Sequence, residues 1–269
     1  MKKIKFCPEV FFVIALLSLF FTACNDNDDS SQTSRMTVRM TDAPGDYDEV
    51  NIDVQDVLIK TTTDSDDSEG WVSIGTVTPA VYNLLDLTGG VSVLLADKII
   101  PAGYLGQIRL LLGDNNTVVK DGVTYDLNTP SAQQSGLKLN INQTLLAGVS
   151  YDFLLDFDVA HSVVVSAGGS GNYNLHPVIR VSTAATSGVI KGTISPVLTG
   201  YQVEVSVPVG DTTISAFADE TGVFQLNGVP AGTYTVTLTP EVASGKTVKT
   251  IANVVVDNGE ITNVGSVAF

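Results

Sequence analysis

From Arg35 onward the apolar residues recur at every second position, and this rhythm restricts the possible folds more than any other feature of the sequence. Met36, Val38 and Met40 alternate with Arg35, Thr37, Arg39 and Thr41. Ile108, Leu110 and Leu112 alternate with Gln107, Arg109 and Leu111, and Phe153, Leu155, Phe157 and Val159 oppose Asp152, Asp156 and Asp158. Side chains on a strand point alternately to its two faces, so each run reads as a strand with one buried face. Val50, Ile52 and Val54 give way to Val57 and Ile59, a change of phase that a β-bulge near Gln55-Asp56 would produce. Asp121-Gly122, between VVK and VTY, is two-residue hairpin chemistry. Asp42-Ala43-Pro44-Gly45-Asp46 is turn chemistry. Beyond the N-terminal segment no helical spacing persists past two or three turns, and the best short helix lies near Val91 to Asp97. The expected fold is all-β, two β-sandwich domains in tandem.

The N-terminal segment follows other rules. Lys2, Lys3 and Lys5 precede an apolar stretch from Val10 to Phe21. That stretch suits a signal-peptide core and is too short to cross a membrane as a helix, which takes about 20 residues. Phe21-Thr22-Ala23-Cys24 places small residues before a cysteine, with Phe21 where leucine is usual. This order predicts a lipoprotein signal peptide over 1–23, cleavage before Cys24, and acylation (palmitate among the chains) at Cys24. The protein would then be held to the outer membrane by lipid, at the cell surface. Residues 24–34 read as an acidic disordered tether. Its NDNDDSSQTS run is similar to the export signal of Bacteroidetes lipoproteins that face the cell exterior, and reads equally as a plain spacer. Cys7 and Cys24 are the only cysteines, so the mature chain would fold on hydrophobic burial without a disulfide.

Two domains are expected after the tether, over 35–182 and 187–269, joined by the short Ala/Thr/Ser linker Thr183 to Ser187. The second contains seven short strand patterns in succession, with Asn258-Gly259 as a further hairpin signal. An internal echo links the halves. Asp86-Leu87-Thr88-Gly89 precedes Pro101-Ala102-Gly103-Tyr104, as Asp219-Glu220-Thr221-Gly222 precedes Pro230-Ala231-Gly232 and Tyr234. Both read as turn, strand, tight Pro-Gly turn and outgoing strand.

Residues 187–269 resemble the carboxypeptidase regulatory-like (transthyretin-like, CnaB-like) sandwich, a carbohydrate-binding-like fold. The resemblance rests on Gly188-Val189-Ile190-Lys191-Gly192 and on Asp219, Gly222, Phe224, Leu226, Val229-Pro230, Gly232 and Tyr234. It implies a spacer, stalk or occasional sugar-binding module and no catalysis. Residues 35–182 resemble the Bacteroidetes lipoprotein domain called domain of unknown function 4382. The matching pieces are Thr41-Asp42-Ala43-Pro44, Tyr82-Asn83-Leu84-Leu85, Pro101 to Tyr104 with Gln107 to Leu110, Asp156-Phe157-Asp158 and His176 to Arg180. That resemblance implies a fold and a location, and no activity.

Chemistry is sparse. The formal charge is −15, and removing Lys2, Lys3, Lys5 and Glu9 leaves 28 acidic and 11 basic residues, a mature charge of −17. Such a surface repels phosphate backbones, so no nucleic-acid partner is expected, and membrane contact should come through the Cys24 lipid. Gly168-Gly169-Ser170-Gly171-Asn172 lacks the final glycine of a nucleophile elbow and reads as a loop. His161 and His176 are the only histidines, and each reads as a surface or structural residue. Asp64 to Gly70 imitates a calcium loop, with its glycine one position late and Gly75 where a bidentate glutamate belongs. Asp156 and Asp158 share a strand face about 7 Å apart. They are weak candidates for a metal site or paired catalytic carboxylates. The favoured reading pairs them with arginine, because Arg35, Arg39, Arg109 and Arg180, the only four in the chain, all fall in the first domain. One tryptophan, Trp71, and eight tyrosines give thin support to a lectin-like face. The sequence therefore predicts a non-enzymatic surface lipoprotein without cofactor, presenting a structural or binding surface. A glycan-binding component of a polysaccharide-uptake system is the alternative, with a glycan or surface protein as partner.

Overall fold

The computed structural model describes residues 32–269 except 44, 63–68, 76–78, 130–135 and 167–171. Cys24, the signal peptide, most of the tether, the core of the calcium-like loop and most of the glycine-rich loop lie outside the described residues. Residues Gln32–Phe269 form one compact unit, all-β apart from single turns of helix.

The first sandwich sets a four-stranded sheet against a nine-stranded one. The smaller sheet runs β13 (Ile179–Thr183), β10 (Ser150–Asp158), β1 (Thr33–Ala43) and β5 (Val93–Pro101). In the larger, β2 (Glu49–Lys60) is central, flanked by β6 (Gly103–Leu112) and β9 (Leu137–Leu145) on one side and by the hairpin β7 (Thr117–Lys120) and β8 (Val123–Asn128) on the other. The short β3 (Trp71–Ser73) and β4 (Ala80–Asn83) also pair with β2, and β12 (Tyr173–Leu175) and β11 (Val163–Val165) extend the sheet beyond β8. The alternating residues meet between the sheets: Met36, Val38, Met40, Ile108, Leu110, Phe153, Leu155 and Phe157 are all fully buried there. Each such side chain contributes roughly 1.5–3 kcal/mol by leaving water. The bulge in β2 falls between Val54 and Asp56, and the β7–β8 turn has positive φ at both Asp121 and Gly122, as a type I′ turn requires.

Two local expectations are corrected. Residues near Val91 to Asp97 are not helical but lead into β5, which pairs antiparallel with β1. Its register shifts opposite Val38/Arg39, so consecutive Leu95 and Ala96 both turn inward, and this bulge imitates helical spacing in the sequence. β1 also extends at both ends, starting at Thr33 inside the expected tether and continuing through Asp42 and Ala43, which pair with Phe157 and Asp158 instead of forming a turn.

The second sandwich contains the seven expected strands. One sheet is β17 (Val223–Val229), β14 (Gly188–Ile194) and β20 (Ile261–Val267). The other is β16 (Thr212–Phe217), β15 (Val203–Val209), β18 (Gly232–Pro240) and β19 (Lys249–Val256). Asn258-Gly259 does not close a hairpin, because β19 pairs with β18 while β20 runs parallel to β14 in the opposite sheet. The internal echo has a structural counterpart. Pro101-Ala102-Gly103 and Pro230-Ala231-Gly232 each carry the chain from one sheet of a sandwich to the other. Between the halves, Thr183 to Ser187 is a tight turn in which Thr186 N and Ser187 Oγ both donate to Thr183 O.

Candidate functional site

The outer face of the four-stranded sheet carries Arg35, Thr37, Arg39 and Thr41 from β1, and Asp152, Leu154 and Asp156 from β10. At one end this face meets solvent, and at the other the second sandwich covers it. The same polar alternation therefore yields unlike environments. Asp152 is exposed, whereas Asp156 retains 3% exposure. Arg180, opposite Asp156 in register, donates from Nη2 to its Oδ2 at 2.8 Å and to the backbone oxygen of Ser215 in β16 at 3.2 Å. One guanidinium thus ties both sandwiches together. The amide of Asn227, in β17, also faces the Asp156 carboxylate and favours its charged form. Burial nevertheless pushes the Asp156 carboxyl above its ordinary range, with Arg180 pulling it back and Asp158 adding to the rise.

Asp42 is the site residue that the sequence concealed. It is 5% exposed, and among the described residues neither carboxylate oxygen meets hydrogen-bond geometry with a partner, although the N–H groups of Val159 and Ala43 point toward it. Burial pushes its pKa well up, and the charges of Asp156 and Asp158 push the same way. The site therefore favours the protonated form of Asp42, as expected for a carboxyl in a dry site near other carboxylates. Reading Asp42 to Asp46 as turn chemistry hid this. The available signal was that Asp42 continues the inward face of Met36, Val38 and Met40.

Asp158 has a third role. It caps the helical turn Val159–Ser162, accepting from His161 N, and its carboxylate contacts His161 Nδ1 at 2.8 Å. Asp156 and Asp158 are therefore neighbours in sequence committed to different partners. No group of three or more potential metal ligands occurs among the described residues. His161 and His176 are both exposed. Trp71 is covered by Arg109, whose guanidinium carbon sits 3.7 Å from the ring centroid, with Lys60 Nζ 6.0 Å away. That face of the indole is not open to a sugar.

Where the polar face passes beneath the second sandwich, a cleft of about 340 Å³ remains. Arg39 and Asp152 line one wall, Gln225 and Asn227 another, and Ser92 and Ser182 close the sides.

These features define a tandem β-sandwich protein with a polar seam between its halves. Residues 33–177, over half of the chain, match the family model described as a domain of unknown function (DUF4382), and the chain belongs to that family. No curated protein matches it. Among solved structures, it is similar to a leucine-rich repeat protein from Bacteroides thetaiotaomicron at 12% identity and a TM-score of 0.20, covering 88% of this chain and 26% of that one. The Bacillus anthracis TIE protein matches at 13% identity and a TM-score of 0.22, covering 88% and 34%. GBS52, the minor pilin of Streptococcus agalactiae, matches at 12% and 0.23, covering 87% and 94%. The chain thus spans about a quarter to a third of the first two, and at these TM-scores the likenesses carry no weight for function.

Proposed function

We propose that this chain is a lipid-anchored surface protein without catalytic activity, whose joined sandwiches hold a structural or binding surface away from the outer membrane. The supporting observation is the commitment of its candidate carboxylates: Asp156 to Arg180 across the seam, and Asp158 to a helix cap and His161. Groups fixed in this way serve architecture. The anchoring part of the reading rests on the residues around Cys24. Metabolic labelling with a clickable fatty acid tests it: wild type incorporates label, and Cys24→Ser does not. Equal labelling of the two proteins would contradict the anchor. A glycan-binding role is the second reading, favoured by the hydroxyl- and amide-lined cleft at the seam.

A further inference from the structure

The cleft at the seam combines a loosely paired cation, Arg39 beside Asp152, with uncharged polar groups, and this combination selects a ligand. Arg39 reaches Asp152 Oδ2 only through Nε, at 3.3 Å. That is longer than the roughly 2.7–2.9 Å of a strong charge-assisted bond. Among the described residues, no hydrogen bond engages its two terminal nitrogens, and they are the forked donors that grip a carboxylate bidentately. Asp152 is itself held by Thr37 Oγ1 at 2.6 Å, so it is fixed beside the arginine. The rest of the lining includes Ser92, Ser182 and Gln225, with backbone at Gly90, Gly188 and Gly228. Asn227 is 4% exposed and is positioned by a bond from Gln225 Nε2, which makes that wall preorganised. The volume lies at the small end of ligand pockets, which run from about 300 Å³.

From this geometry we infer that the cleft binds a monosaccharide-sized sugar acid, such as a uronic acid. Its carboxylate would lie on the Arg39 fork, and its hydroxyls would meet Asp152, the two serines and the Gln225 amide. The inference rests on the glycan-binding reading and narrows it. A neutral sugar leaves the fork unfilled. A phosphate or polysulfate brings more negative charge than one arginine answers, beside Asp152 and within a chain of charge −15.

The test is isothermal titration of the full chain, in detergent, with galacturonate, galactose and acetate as separate probes. Galacturonate should bind at least about tenfold more tightly than either galactose or acetate. Arg39→Gln should remove that preference, Arg39→Lys should keep the charge but lose much of the affinity, and Arg35→Gln, outside the cleft, should bind as wild type. Thermal melts check that the variants remain folded; Arg39 is partly exposed, and the lysine variant carries the test if the glutamine variant does not fold. Wild-type affinity in both Arg39 variants, or equal binding of galacturonate and galactose, would overturn the assignment. Binding of neutral glycans alone would sink the sugar-acid inference and leave the glycan reading standing. Binding of none would sink both.

Discussion

Asp42 places a carboxyl where the strand pattern calls for a methionine or valine. Its inward position follows from backbone geometry, since β1 continues two residues into the expected turn. Burial and the nearby charges of Asp156 and Asp158 then favour the protonated form. The sign of the pH dependence follows. A carboxyl with a raised folded pKa binds its proton more tightly when folded, so stability falls as pH rises from the unfolded value near about 3.9 to the folded one. Asp156, also raised, adds to that slope. Asp97 acts oppositely, because Arg35 lowers its pKa and its contribution is lost in acid. Denaturant unfolding across pH should therefore show greatest stability in mildly acidic buffer. Asp42→Asn should flatten the decline toward neutral pH, and an unchanged slope in that variant would contradict the raised pKa assigned to Asp42.

At the scale of elements, the turn before β17 shows how strictly local geometry is set. Asp219 Oδ1 accepts from Thr221 N, Thr221 Oγ1 and Val223 N, and Gly222 completes the turn at φ +80°, where an added Cβ would collide with Ile194 O. A side chain there faces both backbone strain and collision. Gly222→Ala should cost about 2–3 kcal/mol, whereas Gly210→Ala, at φ +58° with open space around it, should cost about 1 kcal/mol. Urea midpoints of the two variants measure the difference. The alternation of Met36 to Met40 and of Phe153 to Phe157, the β2 bulge and the Asp121-Gly122 turn were legible in the sequence because each depends on near neighbours along the chain. The β5 bulge was not, since Leu95 and Ala96 face inward through a register set by β1, more than fifty residues away in sequence. The Asn258-Gly259 turn misled for a similar reason. Turn chemistry specifies a reversal of direction, and partner strands decide whether both arms stay in one sheet.

At the scale of the molecule, the polar face of β10 is divided by what covers it, which strand periodicity cannot report. Asp152 stays wet, Asp156 is buried beneath β16 and β17, and Arg180 is drawn into a bond spanning both halves. The second core also includes Ala43 from the end of β1, so the sandwiches share packing as well as a charge pair. Such a pair adds little net stability compared with an apolar one, yet removing Asp156 strands the partly buried Arg180 guanidinium, at a cost of up to about 3 kcal/mol. For a chain of this size that corresponds to at most roughly 6–12 °C in melting temperature. The structural role of these carboxylates is tested most directly by thermal melts of wild type and Asp156→Asn, each with calcium and with chelator. The account predicts a melting temperature several degrees lower in the variant, and no response to calcium in either protein. A calcium-dependent rise in wild type that Asp156→Asn abolishes would contradict it and make the seam a metal site.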